Sequence, residues 1–225
     1  ADGHIKSVEE PVATYLPEWA GDPRGAIRIR DLLQMASGLA QVRFTLNPFA
    51  QDSAFRFLNS SDRAAVYLRT PAVMPPAREF DYNDLNAALV GLIVQRATGR
   101  PWSEWLDQKI WRPMGGQRAE VWLDREGEGA TAMTACCMLA PAMDWVRVGL
   151  LMKDRGLVRG VPVLPAGWID AMITPSPAYP GYGYFTWLGQ GMGDRQLRPD
   201  DRERPQTEAF LAALSDEQRE AVLID

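Results

Sequence analysis

The sequence comprises 225 residues, and a hydrophobic content of 46% is enough to build one sizeable core. Its 29 acidic and 24 basic residues are interspersed and sum to −5, with no basic block beyond the short Arg28–Asp31 segment, which argues against a nucleic-acid partner. No apolar run approaches the roughly 18–20 residues of a membrane-spanning helix, and the single histidine, His4, is remote in sequence from the adjacent Cys136 and Cys137, so no metal site of ordinary spacing and no cofactor is expected.

The chain opens at Ala1, inside what reads as a helix end at Gly3 followed by a turn. A processed or fragmentary chain is therefore expected, and periplasm is not distinguished from cytoplasm. Ile29, Leu32, Leu33 and Ala36 predict a short amphipathic helix over 29–36, closed by Ser37–Gly38. A second helix follows an N-cap at Ser60–Ser61, carries Ala65, Val66 and Leu68, and stops at Pro71. The proline-rich stretch from Pro71 to Phe80 predicts a loop, because proline removes donors and pushes its predecessor to extended angles.

From Asp84 to Thr98 the apolar residues cover more than one face and Gly99 supplies the stop, which predicts the most buried helix of the chain. Pro101 starts another, with Trp102, Trp105, Leu106 and Ile110 at helical spacing until Pro113. Asp144 is expected to cap a helix that runs to Gly156, and Pro165 opens one through Met172. Strand signals are few: Ala119–Leu123 and Tyr182–Leu188 have the aromatic and branched content of strands. From Pro205 two short helices are expected, with Ser215–Gln218 as a capping box. Adjacent cysteines rarely meet the geometry of an ordinary disulfide, so Cys136 and Cys137 are not expected to pair.

A serine hydrolase needs a base beside its nucleophile, since free serine is almost wholly protonated at neutral pH. Ser-x-x-Lys is not present: the residues three before Lys6, Lys109 and Lys153 are Gly3, Leu106 and Leu150. No serine stands in G-x-S-x-G, and a Ser-His-Asp triad would have to recruit His4, which reads as a surface residue. Glu79, Asp81 and Asp84 suggest paired carboxylates, but helix capping explains at least one of them without chemistry. Tyr82, directly before the buried helix, reads by spacing as a packing residue. As a base it would have to fall from pKa ~10 to near 7, about 4 kcal/mol of stabilisation from nearby cations, and no lysine is near it in sequence.

Four segments together resemble the β-lactamase-related serine hydrolases, which include class C β-lactamases, D-alanyl-D-alanine carboxypeptidases, esterases and 6-aminohexanoate-dimer hydrolases. They are IKSVEEPVATYLPEW (Ile5–Trp19), IRIRDLLQMASGL (Ile27–Leu39), FDYNDLNAALVGLIVQRATGRPWSEWLDQKIWRPMG (Phe80–Gly115) and LAPAMDWVRVGLLMKDRGLVRGVPVLPAGWI (Leu139–Ile169). Their order and spacing carry the resemblance, which runs from Ala1 to about Leu188.

The resemblance implies an α+β fold of the β-lactamase/penicillin-binding-protein transpeptidase type, of which this chain retains mainly the helical portion. Residues 1–188 would form a partial hydrolase domain, and 189–225 a divergent helical tail. In the family the serine of Ser-x-x-Lys is the nucleophile, its lysine activates it, and a Tyr-x-Asn motif supplies a second proton-transfer group and a substrate-orienting side chain. Tyr82 matches the tyrosine and is the expected catalytic residue. Asp84 takes the asparagine's place as the expected substrate-binding residue, with acceptors only.

Where the family usually has His-Thr-Ser-Gly-Leu, this sequence has Met35–Leu39. The Ser-x-x-Lys would fall upstream of Ala1, and nothing after Leu188 matches the C-terminal Lys-Thr-Gly or His-x-Gly. A fragment truncated at both ends is thus the expectation, from a protein that cleaves a small ester or amide through an acyl-enzyme. The competing expectation is an inactive helical fragment that binds a ligand or partner. Gln41–Phe55, with Arg43, Phe44 and Phe49, and Tyr179–Trp187 are the candidate substrate-shaping segments; oligomeric state is not legible.

Overall fold

The computed structural model describes residues 2–43, 47, 50 and 53–189. Phe44 and Phe49 and the expected helices after Pro205 lie outside the described residues. Three 3-10 turns lead in at Val12–Thr14, Pro17–Trp19 and Pro23–Ala26. They are followed by α1 (Ile29–Leu33), α2 (Ala54–Asn59), α3 (Arg63–Arg69), α4 (Asp84–Thr98), α5 (Trp102–Leu106), α6 (Ala142–Lys153), the strands β1 (Leu157–Val158) and β2 (Val161–Pro162), and α7 (Ala166–Met172).

The core is built around α4. Its Leu85, Ala88, Leu89, Leu92 and Ile93 are buried against Leu32 and Leu33 of α1, Tyr67 of α3 and Val12, Leu16, Trp19 and Ile27 from the leading turns. Each buried Leu or Ile contributes about 1.5–3 kcal/mol, which makes α4 the element the rest is organised on. Polar contacts fix the register. The Trp19 indole donates to the Leu68 carbonyl at 2.9 Å, while Arg24 lies 4.8 Å from the Trp19 ring and donates to the Leu68 and Thr70 carbonyls. At the far end of α4, Arg96 grips both carboxylate oxygens of Glu18 at 2.8 Å.

Several elements differ from their sequence-based expectations. Helix α1 stops at Leu33 because Met35 takes a left-handed φ of 54°, with the Met35 and Ala36 amides donating to the Leu32 and Asp31 carbonyls. That is a Schellman ending, three residues before the Ser37–Gly38 stop. Helix α3 is capped by Asp62, which accepts from the Ala65 amide at 3.0 Å, and not by Ser60 or Ser61. Helix α5 gives way to a wider π-type turn over Asp107–Trp111, and its stripe is only half-buried, the buried residue being Trp111.

Asp144 is not the cap of α6. The helix begins two residues earlier, after Pro141, and the Asp144 carboxylate is buried inside the first turn, where it accepts from the Gln117 amide at 2.8 Å and pairs with Arg147. The segment 119–123 forms only isolated bridges, Glu120 with Leu139 and Leu123 with Ala132. Residues 182–188 fold back on themselves through a Tyr182–Trp187 bridge, with Phe185 at φ 47°, so they are not a continuous strand. The ladder among the described residues is β1–β2, an antiparallel hairpin whose corner, Arg159–Gly160, has both φ angles positive as a type I′ turn requires. Cys136 and Cys137, expected to stay unpaired, are joined in a disulfide, with Cys137 at φ 72°. No described helix is long and apolar enough to cross a membrane.

Candidate functional site

The loop that precedes α4 is held by main-chain bonds to the segment that follows α1. The Val73 and Met74 amides donate to the Gly38 carbonyl, Ala77 to Ala36 and Asp81 to Met35, all within 2.7–3.2 Å. Gly38 is required here, since its φ is 74° and a Cβ would stand 2.3 Å from the Met74 carbonyl oxygen. Gln41 completes the attachment: its side-chain amide donates to the Asp81 carboxylate and to the Tyr82 carbonyl. Next in the chain, Asn83 is buried and satisfied on both sides. Its Oδ1 caps α4 by accepting from the Leu85 amide, and its Nδ2 donates to the Leu39 and Ala40 carbonyls.

The outcome is a tyrosine with a fixed main chain and a free ring. Tyr82 is 51% exposed, so the packing role that its spacing suggested is not the one it has. Its ring instead leans on the returning segment after α7, 5.5 Å from Trp187 at 35° and 6.1 Å from Tyr182 nearly edge-on. Phe80 fills the space behind, 4.9 Å from Tyr179 and 5.1 Å from Tyr182. That returning segment is anchored by the Phe185 amide on the Leu33 carbonyl and the Tyr184 amide on the Met172 carbonyl. Burial, with Tyr82 adding to it, pushes the Tyr182 phenol well above its ordinary range, so Tyr182 stays protonated.

Asp84 occupies the first turn of α4 and is exposed, and its carboxylate has no hydrogen-bond or ion-pair partner among the described residues. Desolvation by the surrounding protein raises its carboxyl above the usual range. Tyr82 and Asp84 thus flank the Asn83 cap at the head of the most buried helix, and Tyr182 and Trp187 pack on the Tyr82 ring. Arg43 is exposed and its bridge is to Ser53. His4 makes its ring contact with Trp105, 5.2 Å away. The role of Gln41 escaped sequence reasoning. Asn83 was legible as an N-cap type, but the partners of Gln41 lie about 40 positions away and left no local signal. A cleft of about 550 Å³ lined by Gln95, Arg100 and Trp102 lies at the opposite end of α4.

A family model described as beta-lactamase matches residues 2–193. The 6-aminohexanoate-dimer hydrolase of Paenarthrobacter ureafaciens is 27% identical over 206 residues, which is 87% of this chain and 52% of that protein. The penicillin binding protein from Bacillus halodurans superposes with a TM-score of 0.59 at 17% identity, over 82% of this chain and 63% of the other. The octameric penicillin-binding protein homologue from Pyrococcus abyssi gives a TM-score of 0.59 at 19% identity, over 82% and 48%. These likenesses show the fold, α+β of the β-lactamase/penicillin-binding-protein type, as the resemblance implied. The chain spans about half the length of the hydrolase it matches.

Proposed function

This chain belongs to the beta-lactamase family, and from that premise we propose that it is part of a serine hydrolase that cleaves a small ester or amide through an acyl-enzyme. Tyr82 is the proton-transfer residue in this reading and Asp84 faces the substrate. The nucleophilic serine and its lysine belong to a Ser-x-x-Lys, which these 225 residues do not contain, preceding Ala1 in a longer protein. As serine Oγ bonds to the substrate carbonyl carbon, its proton passes to the lysine–Tyr82 pair. The proton then reaches the leaving oxygen or nitrogen as that bond breaks. Water reverses the route to release the acid, and main-chain amides, one from a C-terminal strand, hold the oxyanion.

The observation that carries this reading is the pairing of a clamped main chain with a half-exposed ring at Tyr82. A packing tyrosine would be covered; a reagent has to be reachable and held still. The test is hydrolysis of p-nitrophenyl butyrate by a protein extended upstream through Ser-x-x-Lys. Tyr82→Phe is expected to lower kcat by about 10²–10⁴-fold, and wild-type turnover in that variant removes Tyr82 from the mechanism.

For the 225 residues alone, the missing Ser-x-x-Lys favours a second reading, an inactive domain that binds ligand or partner. A fluorophosphonate or penicillin probe separates the two. Stoichiometric labelling of the isolated chain would identify another serine as nucleophile and end the account of an upstream one.

A further inference from the structure

The disulfide of this chain joins two neighbours, Cys136 and Cys137, and so closes a small ring through the peptide bond between them. Its two halves lie in different surroundings. Cys136 is exposed, whereas Cys137 is half-buried and packs on the hydrophobic core, with a left-handed φ of 72° that a cysteine rarely adopts. A disulfide that only braces a core has both cysteines covered; here one stands at the surface.

The ring sits in a short stretch that is held at both ends. On one side the Met133 amide donates to the Trp122 carbonyl at 2.8 Å, and the Thr134 hydroxyl to the Ala87 carbonyl of α4 at 2.9 Å. On the other, Glu120 and Leu139 exchange main-chain bonds of 2.8 and 2.9 Å. Any change of backbone angle at Cys137 has to be absorbed between these anchors, and Leu139 is the nearer one.

We propose that Cys136–Cys137 is a redox site that exchanges with dithiols, and that its opening loosens the Glu120–Leu139 bridge. A thiolate of the dithiol bonds to Cys136 Sγ, and the electron pair of the broken Cys136–Cys137 bond leaves with Cys137 Sγ, which takes up a proton. The second thiol of the dithiol, as thiolate, attacks the dithiol sulfur now bonded to Cys136, so that Cys136 departs as a thiolate and is protonated in turn. The cysteine pair is reduced and the dithiol ends as a disulfide; an oxidised partner of the same class runs the steps backwards. Freed of the ring, Cys137 returns to an extended φ and the chain leading to Leu139 changes its path. None of this depends on the role of Tyr82.

The test treats the folded chain with dithiothreitol and then iodoacetamide, and locates the adducts by peptide mass spectrometry. Both cysteines are expected to be alkylated without denaturant, Cys136 about tenfold faster than Cys137. Hydrogen exchange then compares the oxidised and reduced chains. The Glu120 and Leu139 amides are expected to exchange about tenfold faster after reduction, while the Val163 and Leu164 amides, which donate to the Gly156 carbonyl, keep their rates. The double variant Cys136→Ser, Cys137→Ser should show the fast exchange with or without dithiothreitol, which separates loss of the bond from any other effect of the reductant. Cysteines that react only in urea, alkylation with no preference for Cys136, unchanged Glu120 and Leu139 exchange on reduction, or equal acceleration at Val163 and Leu164 overturns the proposal.

Discussion

The side-chain amide of Gln41 donates to the main-chain carbonyl of Tyr82 at 3.1 Å and to the carboxylate of the residue before it. One exposed glutamine thereby joins the segment after α1 to the residue with the free ring. Hydrogen bonds of this kind contribute about 0.5–1.5 kcal/mol each. In the upstream-extended protein, Gln41→Ala is expected to lower kcat/KM for p-nitrophenyl butyrate by about three- to tenfold while moving the melting temperature by no more than about 2 °C. A large loss of melting temperature with kcat/KM intact would make Gln41 a stability residue instead.

Asn83 does two jobs with one amide, capping α4 through Oδ1 and holding the Leu39 and Ala40 carbonyls through Nδ2. Asn83→Ala removes the cap and leaves buried carbonyls without a donor, for an expected loss of about 2–4 kcal/mol in urea unfolding. Asn83→Asp keeps the cap chemistry but turns an acceptor toward two carbonyls. It is expected to be as damaging as Ala, although at an ordinary N-cap aspartate matches asparagine.

Gly91 lies in the middle of α4, where alanine would be favoured by about 1 kcal/mol on helix propensity alone. Packing reverses the sign. A Cβ there would come within 2.2 Å of Thr134 Oγ1 and 2.5 Å of its Cγ2, and that hydroxyl donates to the Ala87 carbonyl at 2.9 Å. Gly91→Ala is therefore expected to destabilise by about 1–3 kcal/mol. Adding Thr134→Ala should recover part of the loss and not all, since the Thr134 Cβ itself would be 2.8 Å away.

Asp22 sets an acid-limb prediction. Hydrogen bonds from the Arg24 side chain and then its amide hold the Asp22 carboxyl down to about 2, against an unperturbed 3.8. A depressed folded-state pKa means the unfolded chain takes up the proton first. The contribution is therefore present above about pH 4 and lost as pH falls toward 2. Asp22→Asn should flatten the fall of stability across that window in urea titrations at successive pH values and leave its shape above pH 5 unchanged.

What the sequence made legible follows the range of the physics involved. Helix α4 was readable to the residue, because an apolar period, an Asn at the cap and Gly99 at φ 65° all act within one or two turns. The loop from Pro71 to Phe80 was equally local, since proline dictates its own backbone. The end of α1 was misplaced because Met35, not a glycine, takes the left-handed angle, held by two carbonyls and by burial. The β1–β2 hairpin was missed because its corner is Arg159–Gly160, where a glycine supplies only one of two positive φ angles and an arginine the other. At the site, Tyr82 and Asp84 came from the family resemblance and Trp187 from the aromatic content of its segment. The contact between Tyr82 and Trp187 joins residues far apart in sequence, and no local pattern encodes it.

The buried Asp144 carboxylate bears on how this part of the molecule opens. It takes the Gln117 amide from the turn beyond Trp111 while belonging to the first turn of α6, with none of its side chain exposed. Releasing either side would strand a desolvated charge, so the turn and the helix are bound to breathe as one unit. The Gln117 amide, although it lies outside any helix, should then exchange its hydrogen at the pace set by α6.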